Sequence, residues 1–366
     1  MATRTFFLWF CLWQIVLTGS AHAQSITTYS NSTDFNAAMP TTGVVQKSEN
    51  FAAVTSNYAV SQTTPNNWNG LTILASGFSP WGSSQYCTSL RACLNWTTSP
   101  PTTPGIYVAI GTPGIDNGTV RFTPTGRAFA FAFNYWDWND GSQRSELLVT
   151  LSNGSTFVIT GPTTVSGSPG GFMGFRIDTA SIYSGITISH VTWRGIGFNS
   201  EIIGINNIQI REAAPVVQVS KNSTIWDPNP SNAKSLPGND VLYEISIANA
   251  GLSAPDAGSI FIVDALPSQL SFWNGDIDQG GSETYATVAP IGFNQTGGAT
   301  LSFDPSTDLR VAFGATAPTT FSQCSTLPMD SSYRSDVKFL CIRPSGTLNA
   351  GPAVPQMKLK FRAQIK

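Results

Sequence analysis

From Arg127 to Trp136 the chain alternates large rings with small side chains: Phe129, Phe131, Phe133 and Tyr135 interleave with Ala128, Ala130, Ala132 and Asn134. A period of two puts the rings on one face of an extended strand and the small residues on the other. Such a strand buries its aromatic face, and its small face lies beneath another layer or lines an open concavity. The period recurs downstream, where Leu147, Val149 and Leu151 lead into Ser152-Asn153-Gly154-Ser155 and then Phe157 and Ile159. Asn-Gly between alternating runs predicts a type I′ hairpin, whose two central residues both take φ > 0. Further strands are expected over 172–177, 186–193 and 202–210, and few windows carry a helical period.

Ala213-Ala214-Pro215 breaks the pattern, which then restarts. Val217 and Val219 alternate before Lys221, and Pro237-Gly238-Asn239-Asp240 forms a turn ahead of Val241, Tyr243, Ile245 and Ile247. Asn249-Ala250-Gly251 turns the chain again, Ile260 and Ile262 belong to the next strand, and Met357, Leu359, Phe361, Ala363 and Ile365 form the closing one. Short strands at this spacing predict an immunoglobulin-like sandwich of about seven strands. The expected fold class is therefore all-β, with two antiparallel β-sandwich domains: jelly-roll or lectin-like over 24–212, a linker at 213–216, and immunoglobulin-like over 217–366.

Residues 1–23 have the features of a secretory signal peptide. Arg4 precedes an apolar run from Phe6 to Leu17, and Ala21-His22-Ala23 supplies the small-residue cleavage site. The run is shorter than the roughly 20 residues a membrane span requires. Cys11 lacks a lipobox, and no later stretch is long and apolar enough to span. The expected location is extracellular, secreted or at the cell surface. Formal net charge is −2, one unit more negative once Arg4 is removed, so no basic field for nucleic acid exists. Apolar content of 41% supplies a core and argues against disorder. Four of the five cysteines survive cleavage and fall into two local pairs, Cys87 with Cys93 and Cys324 with Cys341, expected as disulfides in an oxidising compartment. Zinc is the competing reading; thiols on distant loops, with His190 the only other mature ligand of its kind, argue against it.

In the second half, Lys221, Pro237-Gly238-Asn239-Asp240-Val241-Leu242-Tyr243-Glu244-Ile245, Ala248-Asn249-Ala250-Gly251 and Val263-Asp264-Ala265-Leu266-Pro267 occur in that order. Over about 216–366 the chain resembles the conserved-repeat domain DUF11 of bacterial surface proteins, although Asn239 interrupts the family's Gly-Asp. That resemblance implies an extracellular structural or adhesive module without catalysis. Over about 25–211, Phe35, Glu49-Asn50-Phe51, the aromatic strand, Leu151 to Phe157, Gly171-Phe172-Met173-Gly174-Phe175 and Gly204-Ile205-Asn206-Asn207-Ile208 resemble the lectin-like sandwiches of exosortase-sorted (PEP-CTERM) secreted proteins. Many relatives carry Asp where Asn206 stands, and the sorting tail that names the group is absent.

Candidate chemistry concentrates at Trp136, Asp137, Trp138, Asn139 and Asp140. Exposed rings stack on sugars while neighbouring carboxylates and amides bond hydroxyls, which would make this a glycan-binding rim. The plainer reading is a strand end and an Asx-type turn. Ca²⁺ could use the oxygens of Asp137, Asn139 and Asp140, or of Asp276 and Asp278, but neither stretch has EF-hand spacing or enough ligands. Asp137, Asp140 and Glu146 are the acids a glycoside-active enzyme would use. A serine triad would need His190, which the alternation Ile186, Ile188, His190 places on an apolar face, and no G-x-S-x-G elbow occurs. Lys221 with Glu244 and Asn249 or Asp264 supplies the residue types of an intramolecular amide cross-link, against which ordinary surface charges and turn caps are the simpler account. The expectation is thus a non-catalytic structural or adhesive protein, with surface glycans or envelope and matrix proteins as partners. A carbohydrate-binding protein is the alternative, and a glycoside-active enzyme the distant one.

Overall fold

The computed structural model describes residues 24–51, 58–59, 66–76, 92–94, 106–110, 119–136, 144–160, 170–196, 201–226, 234–279, 285 and 288–366. The expected signal peptide, Cys87 and Asp137 to Asp140 lie outside the described residues. The fold is all-β, and every described strand pair is antiparallel. No helix of the described residues is long and apolar enough to cross a membrane.

In the N-terminal sandwich one sheet runs in the order Ile26–Tyr29, Gly171–Ile177, Ala128–Trp136, Glu201–Ala213, Ile106–Ile110, Ala92–Leu94, Tyr58–Ala59, with Val44–Glu49 flanking the second half of Glu201–Ala213. The other sheet runs Thr156–Thr160, Arg144–Leu151, Ile188–Ile196, Thr119–Pro124, Leu71–Ser76, Asn66–Trp68. The aromatic strand is central, as its composition requires. Phe131 is fully buried, with its ring 5.8 Å from Phe175, 5.9 Å from Phe122 and 6.1 Å from Phe133.

The small face is buried as well. Ala128, Ala130 and Ala132 are fully covered, and a short helix, Ser32–Ala37, supplies part of the covering layer. A Cβ added at Gly174 would lie 2.6 Å from the Phe35 ring and 3.1 Å from Ala132, so the sheet carries Ala and Gly because Phe35 presses onto it. The helix starts where the Asn31 side chain accepts the Asp34 N–H at 2.8 Å. Six residues are too few for an apolar period, and sequence periodicity misses it.

Two local expectations are corrected. Between Arg144–Leu151 and Thr156–Thr160 only Gly154 has a positive φ, +87°. Gly154 N–H donates to Leu151 O and Leu151 N–H to Ser155 O. This is a three-residue loop, a type I turn closed by a left-handed glycine, rather than type I′. His190 is not on the apolar face either. Thr150 pairs with His190 but Leu151 with Ile188, so Ser189 is an extra residue. That bulge swaps the faces: Ile188, Val191 and Trp193 point inward, and His190 points away from them.

The C-terminal sandwich has a sheet ordered Val217–Trp226, Asp240–Asn249, Gln356–Ile365, Leu270–Trp273, Tyr333–Arg334, with Ile291–Thr296 also along Gln356–Ile365. It faces a three-stranded sheet, Ile262–Ala265, Phe339–Ile342, Leu309–Ala312. The closing strand alternates as read, burying Met357, Leu359, Phe361 and Ala363. Before Asp240, Asn239 N–H donates to Leu236 O at 3.0 Å and Gly238 has φ +90°. Pro237 and Gly238 thus occupy the two central positions of a type II turn, the second of which requires φ > 0.

Cys324 and Cys341 form a disulfide with Cα atoms 6.5 Å apart, tying the segment after Phe321–Gln323 to the middle strand of the smaller sheet. Cross-linking residues separated by 17 positions restricts the unfolded chain by about 3 kcal/mol. The Cys324→Ala/Cys341→Ala double variant is expected to lose that much in urea unfolding, and an unchanged midpoint would contradict it. Cys93 lies on Ala92–Leu94, of which only the backbone is described.

Candidate functional site

Of the expected glycan rim, only the Trp136 backbone is described; it ends its strand opposite Gly204. Asp137, Trp138, Asn139 and Asp140 lie outside the described residues. The strand that delivers them is packed as far as Tyr135. Tyr135 is buried, burial raises its phenol pKa, and a Cβ at Gly171 would lie 2.4 Å from its hydroxyl. Glu146, the third acid of the expected set, lies in the other sheet, buried and ion-paired to Arg194 directly across the ladder. Among the residues whose side chains are described, which leave out Tyr58, Tyr107 and Trp136, no aromatic ring of the N-terminal sandwich is exposed.

His190 Nε2 lies 2.7 Å from the Arg121 guanidinium. Burial first, and the Arg121 charge second, lower its pKa below the ordinary 6.5. The neutral imidazole is the native form, and the unfolded chain binds the proton more tightly. Stability from this site is therefore complete above pH 6.5 and declines as pH falls through the window between that value and the lower folded pKa. His190→Gln is expected to flatten the wild-type fall in unfolding midpoint between pH 7 and pH 5; parallel curves would refute this. Asp276 and Asp278 serve the local backbone: Asp276 Oδ1 accepts Asp278 N–H at 3.2 Å, and Asp278 Oδ2 accepts Tyr285 N–H at 2.7 Å.

Two motif residues of the second half meet across the sandwich. Lys221 Nζ lies 2.7 Å from both carboxylate oxygens of Asp264, and 4.6 Å from the centre of the Tyr243 ring, which stacks on Phe361 at 5.1 Å. Lys221 belongs to the larger sheet and Asp264 to the smaller, so the pair clasps the sandwich along one edge. Glu244 projects to the opposite face, where it pairs with Lys358 at 2.9 Å and Lys360 at 3.7 Å, and it does not stand beside the clasp. Asp240 ion-pairs with Arg362 and accepts the Tyr333 hydroxyl at 2.8 Å, while the guanidinium sits 4.8 Å from the Trp226 ring centre and 4.7 Å from that of Trp273. Trp226, Trp273, Tyr333 and Arg362 are far apart in sequence and carry no motif, so sequence reasoning misses this cluster.

Asn249 is fully buried and fastens the linker to two loops of the C-terminal sandwich. Its Oδ1 accepts Val216 N–H at 3.1 Å and Gly251 N–H at 3.0 Å. Its Nδ2 lies within bonding distance of the carbonyls of Ser253, Leu348 and Asn349, at 2.9, 3.3 and 3.0 Å. A Cβ at Gly251 would lie 2.4 Å from both Ala214 O and Val216 N, which explains the glycine. Leu252 inserts into the N-terminal core, and Arg127 donates to Ala254 O at 2.8 Å across the same boundary. Beside this joint lies a cleft of about 420 Å³ whose polar lining includes Arg127, Tyr183, Thr187, Ser253 and Asn349. A second cleft of about 440 Å³, in the C-terminal sandwich, is walled by Val288, Pro290, Leu309, Leu327, Pro328 and Met329. Among the described residues no three His, Cys, Asp or Glu side chains group to hold a metal ion. No protein-family model and no curated protein sequence matches the chain.

Proposed function

We propose that this chain is an extracellular or cell-surface structural and adhesive protein, in which the C-terminal sandwich fixes the orientation of the N-terminal one. The observation that carries the reading is where the motif side chains are engaged. Lys221 binds Asp264, Asp240 binds Arg362, and Asn249 bonds the linker and two loops. The first joins the two sheets of the C-terminal sandwich, the second ties neighbouring strands of its larger sheet, and the third anchors the linker. The order of these residues is that of the conserved-repeat domain of surface proteins, and the Cys324–Cys341 bridge suits an oxidising compartment. Fractionation of the producing cell tests the reading: the protein is expected in medium, matrix or envelope fractions without residues 1–23. Full-length protein in the cytosol with free thiols overturns it.

The second reading, glycan binding through Trp136 to Asp140, is supported by that residue cluster and by the lectin-like resemblance. Glycan-array binding lost in Trp136→Ala or Trp138→Ala would place it first.

A further inference from the structure

We propose that Val217–Trp226 is a self-association edge, through which two copies of this chain pair antiparallel and join their larger C-terminal sheets into one. The strand pairs with Asp240–Asn249 over ten consecutive positions without a bulge, and among the described residues no strand occupies its other side. Natural edges of this length are usually blunted by proline, bulges or outward lysines. Here there is no proline or bulge, and the one lysine, Lys221, is held against Asp264. Val217 and Val219 are 48% and 65% exposed, because the opposing sheet has three strands and leaves them uncovered.

The phase of the ladder follows from one bond. Ala250 N–H donates to Val216 O at 2.9 Å, so even-numbered residues exchange bonds with Asp240–Asn249. Val217, Val219, Lys221, Ser223 and Ile225 then direct their N–H and C=O groups to the open side. A second copy of the same strand is complementary to this row. With the two-fold axis at Asn222, Val219 lies opposite Ile225 of the second copy and Lys221 opposite its Ser223, which adds an apolar pair and opposes no like charges. Moving the axis to Lys221 would set two lysines face to face, so the charge pattern selects the Asn222 register. The interface is isologous and closes at two copies.

The biological use of this edge rests on the structural role proposed above, but association itself does not, and the experiment reads association alone. Sedimentation equilibrium of the purified chain is expected to give a dimer that dissociates on dilution. Ser223→Pro should be monomeric with a melting temperature within about 2 °C of wild type, because the Ser223 N–H points away from its own sheet and proline removes no native ladder bond. Asn222→Cys should form a covalent dimer on mild oxidation, since non-bonded antiparallel partners lie about 4.5 Å apart at Cα, within disulfide reach. Thr224→Cys should not. A wild-type monomer, a dimer unaffected by Ser223→Pro, or equal cross-linking at 222 and 224 would each overturn the proposal. A monomer still found in envelope fractions would sink this inference and leave the functional reading intact.

Discussion

Asn249→Ala is expected to lower the unfolding free energy by about 4 kcal/mol, more than any other polar substitution in the C-terminal sandwich. The side chain is fully buried and serves two N–H donors and three carbonyls. Each buried group left without a partner costs about 1–3 kcal/mol, and water entering the space recovers part of the total. Asn249→Asp is expected to rescue poorly: a carboxylate still accepts from Val216 and Gly251, but it faces the carbonyls of Ser253 and Asn349 with no hydrogen to offer. Urea unfolding gives the magnitude. Limited proteolysis gives the location, because losing the hub should expose the peptide bonds between Ala213 and Val217. A loss below 1 kcal/mol in both variants would mean that Asn249 does not hold the joint.

Phe131→Ala is expected to cost a similar amount, about 4 kcal/mol, for an apolar reason. Its ring touches Phe122, Phe133 and Phe175 in a region with no exposed surface. Removing it loses both transfer energy and the contacts around the cavity left behind. Val158→Ala is the control, since Val158 is 53% exposed and should change stability by less than about 0.5 kcal/mol. If the two variants unfold at the same urea concentration, the assignment of this core is wrong.

Strands whose two faces differ in side-chain size or polarity were legible in the sequence. Ala128–Trp136, Asp240–Asn249 and Gln356–Ile365 alternate because every second side chain meets the facing sheet, and the all-β class follows from such runs. What escaped notice depends on a single residue or on distance. Ser189 shifts the phase of its strand by one, and that moved His190 from the face the alternation gave it. Asn153 and Gly154 marked a turn but not its type, because Gly154 alone takes the left-handed conformation. Asn249 read as a turn residue, since nothing local reveals that Val216 and Leu348 converge on it. The grouping of Asp240, Trp226, Trp273, Tyr333 and Arg362 exists only once five strands of the larger C-terminal sheet are side by side. Trp136 to Asp140 had the clearest local signal for a ligand site, and their contribution rests on the glycan-binding experiment.

Leu252 belongs to the core of a sandwich whose other members end at Ala213. The side chain that completes this core is supplied from the later body, just after its first hairpin. Leu252 N–H also donates to Ala214 O at 3.0 Å, fixing the side chain in place. A chain cut at Ala214 would be left with an unfilled apolar hollow, so the earlier sandwich is complete only with the later one attached.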